Sequence, residues 1–353
     1  MKYVSPIDPH VHLRGDEYTT NFLEMGFDDA RVVGLVAMIE QPNPQPWLTN
    51  INAVQARYEK ANPYFRRTGV AHKIHIGLTN NLEQVRSALS SVMSNECGLV
   101  SDKTFYTHSI GNMGILDEDI QREIWKIKGE LRYRGVSIGH FEDEKAFTGI
   151  FNPEFPILHS KFQNPESELI QVQRQIRNAR NSKFEGTFYI AHVSNPATID
   201  YIESERKKQL GFRIVIESTF HHPFLNWEDY KIHGNRVKMN PPLRAKEMQE
   251  RLLEYLLAGK VDIIGTDHAP HPLERKDDPE KPASGISAIL FWPKGIELLK
   301  KAGMKEDKLQ ETTFYNANTL FFNGKLKPTL VDIEYNPELW ERYGYNPFSR
   351  IDN

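Results

Sequence analysis

Cysteine is almost missing: among 353 residues there is one, Cys97, so no disulfide can form within the chain. That fits the reducing environment of a cytosol. Charge of one sign is also missing. With 44 basic and 47 acidic residues the formal net charge is −3, which argues against the electrostatic footprint of a nucleic-acid binder and against a polybasic membrane surface. No apolar run approaches the length of a membrane span. The opening "MKYVSPIDPH" has no apolar core of a secretory signal, and the expected location is the cytoplasm. No Gly-rich phosphate loop follows an early strand-like run. Low-complexity blocks and short internal repeats are missing too.

What is present is an alternation. Short β-rich runs recur as "YVSPIDPHVHL", "RVVGLVAMIE", "VAHKIHIGLT", "GLVSDKTFY", "GVSIGHFED", "TFYIAHVS", "FRIVIEST" and "VDIIGTDHA". Helix-like segments lie between them, for example 81–93, 117–131, 164–182, 195–209 and 244–258. Asp117 is suited to cap the second of these. In the last, Met248, Leu252, Leu253 and Leu256 have helical apolar spacing. Eight strands separated by helices predict an α/β fold, a parallel sheet closed into a (β/α)8 TIM barrel. An open doubly wound sheet is the rival. Two long connections stand out, 143–166 and the charged, proline-rich stretch after the eighth run, within 268–285; long loops in compact domains are often functional.

The histidines acquire meaning from where they fall. In "IDPHVHLRG" (7–15), His10, His12 and Arg14 alternate, so on a strand they face one way. Two adjacent imidazoles suit a divalent transition metal such as zinc, although H-x-H alone is a modest signal. His140, His192 and Asp267 each lie near the C-terminal end of a predicted strand, and Lys103 holds the corresponding place in "GLVSDKTFY". In a barrel these ends converge on one mouth. A lysine there is either an ordinary side chain or, carboxylated by carbon dioxide, an anionic metal bridge.

This order of H-x-H, lysine, histidine, histidine and aspartate resembles the amidohydrolase superfamily, and the finer motifs resemble the dihydroorotases. "DPHVHLR" (8–14) resembles their first-strand signature and "GTDHAPH" (265–271) their eighth. "QPNPQP" (41–46), "AHVS" (191–194) and "NPPLR" (240–244) match further segments. The resemblance runs from about Ile7 to about Asn318. It implies two zinc ions: His10, His12 and Asp267 on the more buried one, His140 and His192 on the second, a carboxylated Lys103 and a hydroxide bridging both. Asp267 would be the general acid and base. Arg14, Asn43 and His271 would grip a substrate carboxylate, and Asn240 would contact the ring through its backbone, with Pro282 and Ala283 near another backbone contact. The implied reaction is the reversible cyclisation of N-carbamoyl-L-aspartate to dihydroorotate, in pyrimidine biosynthesis. Possible partners are a second copy of the chain or aspartate transcarbamoylase.

Some features depart from that pattern. "GDEY" follows Arg14, Asp102 precedes Lys103, and "SIGNMG" (109–114) resembles only one branch of the family. Only six residues precede the barrel motif, so no N-terminal half of a β-sandwich is expected. "NGKLKPTLVDIEYNP" (323–337) would be a remnant of the C-terminal half. The division expected is a barrel over 1–320 and a short extension over 321–353.

Two alternatives stand beside this reading. One is a hydantoinase- or dihydropyrimidinase-like cyclic amidohydrolase; the other is a non-catalytic homologue that supports aspartate transcarbamoylase. A degenerate homologue should have lost ligands, yet all six positions are filled. Of the other histidines, His72 and His75 are expected to pack or lie on the surface, and His221 and His222 to be structural. His108, His159 and His233 are expected in solvent, and His268 to point away from the site. Cys97 is expected to be a small buried residue.

Overall fold

The computed structural model describes residues 1–108 and 113–352, so most of the "SIGNMG" stretch lies outside the described residues. A short strand, β1 (Lys2–Val4), lies outside the barrel. Eight strands then follow in chain order: β2 (Ile7–Val11), β3 (Ala37–Glu40), β4 (Ala71–Gly77), β5 (Ser101–Phe105), β6 (Val136–His140), β7 (Thr187–Ile190), β8 (Arg213–Thr219) and β9 (Ile263–Gly265). Each is parallel to its neighbour. The ring closes where Val11 bridges His268 and the His12 N–H donates to the His268 carbonyl at 2.6 Å. This is the expected (β/α)8 barrel.

The strands read as nearly continuous apolar runs because both of their faces are covered. Val136, Ile138, Tyr189, Val215 and Ile263 face the barrel interior, which Phe314 and Phe321 plug from below. The opposite faces meet the helices. The expected helices appear as Leu82–Met93, Glu118–Glu130, Pro165–Asn181, Pro196–Arg206 and Lys246–Leu257. The Asp117 side chain accepts from the Asp119 and Ile120 N–H groups at 2.8 and 3.2 Å. Asn81, Asn164 and Asn195 cap their helices in the same way, satisfying donors that have no partner inside the helix.

Asp8 fastens the closing seam. It is fully buried. One oxygen accepts from Thr266 Oγ1 at 2.6 Å and Trp292 Nε1 at 3.1 Å; the other accepts from the backbone N–H of Thr266 at 3.1 Å and of His10 at 3.2 Å. The register between β2 and β3 shifts just here, between Asp8 and Val11. The shift lets Ile7 and His10 both face the interior despite their odd spacing.

The chain ends meet. A tenth strand, β10 (Leu330–Asp332), pairs antiparallel with β1, Lys2 opposite Asp332. The few residues ahead of the barrel therefore do build a sheet with the C-terminal segment, though one of only two strands. Beyond β10, Trp340, Tyr343 and Phe348 enter the main core. Phe348 stacks on Phe291 at 3.8 Å, and Tyr343 donates to Asp29 at 2.6 Å.

Three minor expectations need correction. Cys97 is exposed, in a tight turn with φ 48°, because the turn between the helix ending at Met93 and β5 lies on the surface. His159 is buried, since the 143–166 connection folds back through the short helix Leu158–Phe162. His233 is half-buried. His108 is exposed beside Glu144, as expected.

Removing the Asp8 carboxylate leaves two backbone N–H groups, the Thr266 hydroxyl and the Trp292 indole without their acceptor. Asp8→Ala should lower unfolding free energy by about 3 kcal/mol or more, since each buried group left unpaired costs ~1–3 kcal/mol. Denaturant titration of the purified protein measures this, and a loss below about 1 kcal/mol would remove Asp8 as the fastener of the seam.

Candidate active site

Each candidate ligand is set by the strand that carries it. His10 lies on β2 and His12 just beyond it; His140 ends β6; His192 and Asp267 each stand two residues past β7 and β9. Lys103 is the middle residue of β5. All six are buried, and five of them meet closely. Asp267 Oδ1 lies 3.2 Å from His10 Nε2 and 3.1 Å from His12 Nε2. His140 Nδ1 lies 3.0 Å from His192 Nε2. Ligand atoms of His10, His192 and Asp267 all fall within 4.8 Å of one another.

The far side of each ring fixes its proton. His10 Nδ1–H donates to Glu217 Oε1 at 2.8 Å, His12 Nδ1–H to Asn43 Oδ1 at 2.6 Å, and His140 Nε2–H to Glu142 Oε2 at 2.8 Å. In the neutral rings the near nitrogens are then lone pairs. Burial favours neutral rings: it pushes His12 down to about 4, and His192 well below the usual range. Burial would raise Asp267, and positive charge at His10, His12 and His192 opposes it, holding the carboxylate well below its usual range when such charge is present. Lone pairs of two imidazoles thus face a carboxylate oxygen at about hydrogen-bond distance. Acceptors converging without protons are what a divalent cation requires, so the donor set fits one.

Lys103 completes the inward face. Its Nζ is buried, has no hydrogen-bond partner among the described residues, and stands 5.2 Å from the Phe105 ring. Burial pushes the amine down to about 8, against the opposing charges of Glu217 and Asp267. Asp102, one residue earlier, points out of the barrel. It accepts from Lys128 Nζ at 2.7 Å and Ser137 Oγ at 3.0 Å. Strand alternation thus explains the "SDK" run: the two neighbours serve opposite faces.

Arg14, Asn43 and Asn240 line the same cavity as His10, His12, His140, His192 and Asp267; Phe105, Ser284 and Gly285 complete much of its wall. The cavity is small, about 40 Å³. Arg14 Nε–H donates to the Pro270 carbonyl at 2.9 Å, and Nη2 to His271 Nε2 at 2.7 Å. His271 stands behind Arg14, with Tyr18 OH 2.7 Å from its Nδ1. Asn43 is engaged by His12. The Asn240 amide oxygen has no partner among the described residues. Pro282 and Ala283 are not on the cavity wall; their carbonyls accept from Lys238 at 3.0 Å and Lys276 at 2.8 Å. The wall is made one and two residues later.

Three of these residues, Arg14, His192 and Asp267, have positive φ of 53°, 39° and 47°. Non-glycine residues there cost of order 1–3 kcal/mol, and such strain clusters at working sites. Glu217, Glu142 and Tyr18 were not singled out from sequence. The signal for Glu217 is a lone carboxylate inside the apolar "IVIEST" run. Of the remaining histidines, His268 Nδ1 accepts from the Ala288 and Ile289 N–H groups at 3.0 and 3.3 Å, facing away from the cavity. His222 is held by Thr219 and the Pro241 carbonyl at 2.9 and 3.1 Å; His75 and His72 are tied to Pro9 and Glu40, each at 3.0 Å. A larger groove, about 410 Å³, lies on the outer wall beside Tyr58, Phe65 and His72, but no metal-ligating cluster sits there among the described residues.

An unpaired buried amine costs stability until something pairs with it. In metal-free protein, Lys103→Met should therefore raise the melting temperature below pH 8. The Lys103 pKa falls from 10.5 unfolded to about 8 folded, so the unfolded chain binds more protons between those values and the parent gains stability as pH rises through them. The advantage of the methionine variant should shrink over that window. An advantage independent of pH from 7 to 10.5 would show that the amine is not the cause.

No protein-family model matches the chain. It is 28% identical over 324 residues to the dihydroorotase of Archaeoglobus fulgidus, covering 89% of this chain and 71% of that protein. It is 29% identical over 335 residues to the dihydroorotase of a Wolbachia from Drosophila simulans, covering 92% and 72%. In fold it is similar to the L-hydantoinase (dihydropyrimidinase) of Arthrobacter aurescens, with TM-score 0.79, 21% identity, and 93% and 73% of the two chains covered. Dihydropyrimidinase from Brevibacillus agri gives TM-score 0.74 at 20% identity, covering 95% and 74%. In sequence, then, the chain is similar to dihydroorotases over most of its length, and in fold it is similar to hydantoinases and dihydropyrimidinases.

Proposed function

We propose that this chain is a zinc-dependent dihydroorotase, interconverting N-carbamoyl-L-aspartate and dihydroorotate in pyrimidine biosynthesis. The observation that carries the substrate is Arg14: a buried guanidinium lines the same cavity as the histidine–aspartate cluster. Dihydroorotate is a cyclic imide with a carboxylate beside the ring. A planar guanidinium is the side chain best made to hold that carboxylate. The similarity to named dihydroorotases points the same way. The structural likeness to hydantoinases supports a shared fold and a related chemistry on cyclic amides, not the same substrate.

His10, His12 and Asp267 would hold one cation, His140 and His192 the second, and Lys103, as a carbamate, would lie between them. Two such cations would supply a nucleophilic hydroxide near neutral pH and polarise the amide carbonyl. Burial leaves part of the Lys103 amine neutral near pH 8, and the neutral amine is the form that adds carbon dioxide. Asp267, ionised and facing the cavity, takes up the nucleophile's proton at a carboxylate oxygen and returns it to the leaving ring nitrogen. In the biosynthetic direction it moves the proton the opposite way. Arg14 is pinned by Pro270 and His271, so it meets the carboxylate already oriented. Asn240, on the cavity wall, would contact the ring through its backbone. The enzyme would be cytoplasmic; assembly as a homodimer, or with aspartate transcarbamoylase, is an extension of this reading that size-exclusion and mixing experiments address.

The test separates this substrate from its relatives. Arg14→Lys removes no proposed metal ligand and keeps the charge, but loses the two-donor fork. It should retain the parent's zinc content and lose about ten- to a hundred-fold in kcat/KM on dihydroorotate, equivalent to roughly 1.5–3 kcal/mol for a charge-assisted bond. Hydrolysis of dihydrouracil, which lacks the carboxylate, should change little. An equal loss on both substrates would make Arg14 a structural residue of the barrel mouth. Activity on dihydrouracil with none on dihydroorotate would establish a dihydropyrimidinase-like enzyme instead. No turnover of either by zinc-loaded parent protein would favour the non-catalytic homologue.

A further inference from the structure

We infer that Glu217 is the positioning residue that sets how tightly this site holds its cations, an inference that rests on the metal reading above. Glu217 is on β8, 1% exposed, and is not among the residues lining the cavity. Its Oε1 accepts from His10 Nδ1–H at 2.8 Å and from the His192 backbone N–H at 3.0 Å. Its Oε2 accepts from the Tyr189 hydroxyl at 2.7 Å. Three donors, from β2, from β7 and from the second residue past β7, thus converge on one carboxylate. The two histidines it reaches belong to the two different cation positions.

Each contact does separate work. Accepting at His10 Nδ1 fixes the proton there and leaves the Nε2 lone pair facing Asp267. A carboxylate behind a ligating imidazole also raises that ring's basicity. Accepting from the His192 backbone holds a residue whose φ is 39°, a conformation that needs outside support. Tyr189 occupies the remaining oxygen, so the carboxylate has one orientation. Room for this arrangement comes from Gly265 on β9. A Cβ there would stand 3.0 Å from His10 Cβ and 3.3 Å from Glu217 Cδ, closer than ordinary van der Waals contact. His140 and His12 have other holders, Glu142 and Asn43. Glu217 is the group whose loss slackens both halves of the site together.

The experiment uses the full chain, stripped of metal and then titrated with zinc against a chromophoric chelator, and with cobalt followed by its visible absorption. Glu217→Gln keeps the shape and an acceptor for His10 but removes the charge. Glu217→Leu removes both. Glu217→Leu should weaken zinc binding at both positions by about ten- to a hundred-fold, the usual effect of losing a group that orients a ligand. Glu217→Gln should recover most of that, within about ten-fold of the parent, and the cobalt spectrum should shift more for leucine than for glutamine. With zinc in excess, kcat on dihydroorotate should fall while KM stays within about two-fold, because Glu217 touches no substrate group. If the leucine variant does not fold by circular dichroism, Tyr189→Phe, which frees Oε2 alone, takes its place with a smaller loss of the same kind. Parent-like zinc affinity and an unchanged cobalt spectrum in these variants would overturn the inference alone. A parent protein that takes up neither zinc nor cobalt would overturn it together with the metal reading.

Discussion

The site depends on one seam. β2 and β9 come from opposite ends of the barrel sequence, and the barrel exists as a closed object only where they join. The join is short: a bridge from Val11 to His268, one hydrogen bond of 2.6 Å from His12, and the buried carboxylate of Asp8 reaching Thr266 and Trp292. His10 and His12 lie on one side of it and Asp267 on the other. The fastening of the barrel and the assembly of the ligand cluster are therefore one event. An open sheet with the same strands would leave the two histidines and the aspartate at opposite edges.

The convergence of side chains on the mouth accounts for the strained backbone. A side chain at a strand end points across or away from the barrel according to parity, and the cluster needs residues from several strands to turn inward at one depth. His192 and Asp267 each stand two residues beyond their strands, with φ of 39° and 47°. Those turns bring their side chains over the mouth. Arg14 does the same beyond β2, its backbone carbonyl held by the Arg57 guanidinium at 2.5 Å while Glu40 neutralises that cation from beneath. The strain is local, and each strained residue has a partner that would lose a contact if it relaxed.

Much of this was legible in the sequence, and the reason is periodicity. Runs buried on both faces, separated by capped helices, specify a parallel barrel, and in a barrel the strand ends must converge. His10, His12, His140, His192 and Asp267 could therefore be grouped before any coordinates, because each follows an apolar run. Glu217 and Glu142 could not. Glu217 is 207 residues from the histidine it holds, and a single carboxylate in a strand has no spacing that names its partner. The positions of Cys97 and His159 followed average behaviour in the reading and local geometry in the fold: a tight surface turn exposes the cysteine, and a long loop that folds back buries the histidine. Pro282 and Ala283 missed the cavity wall by one or two places because Lys238 and Lys276 draw in the carbonyls of that loop.

The buried cations offer the sharpest contrast in the molecule. Lys128 is neutralised by Asp102, Arg57 by Glu40, and Lys276 donates to the carbonyls of Lys238, Ala283 and Gly285 at 2.9, 2.8 and 2.7 Å. Arg244 donates to Ser194 Oγ at 3.0 Å and to the Gln163 carbonyl. Each has been given hydrogen-bond acceptors, as desolvation demands. Lys103 is as deeply buried as any of them, and its amine has no acceptor among the described residues. Nothing in packing alone calls for that: a leucine or methionine would fill the same space without a desolvated amine. Beside a histidine–aspartate cluster filled by cations, an isolated amine would be stabilised by conversion into something anionic, and addition of carbon dioxide to the neutral amine would do so. The lysine that sequence could read either as an ordinary side chain or as a bridge is, by this comparison, the buried cation whose surroundings suit the second role.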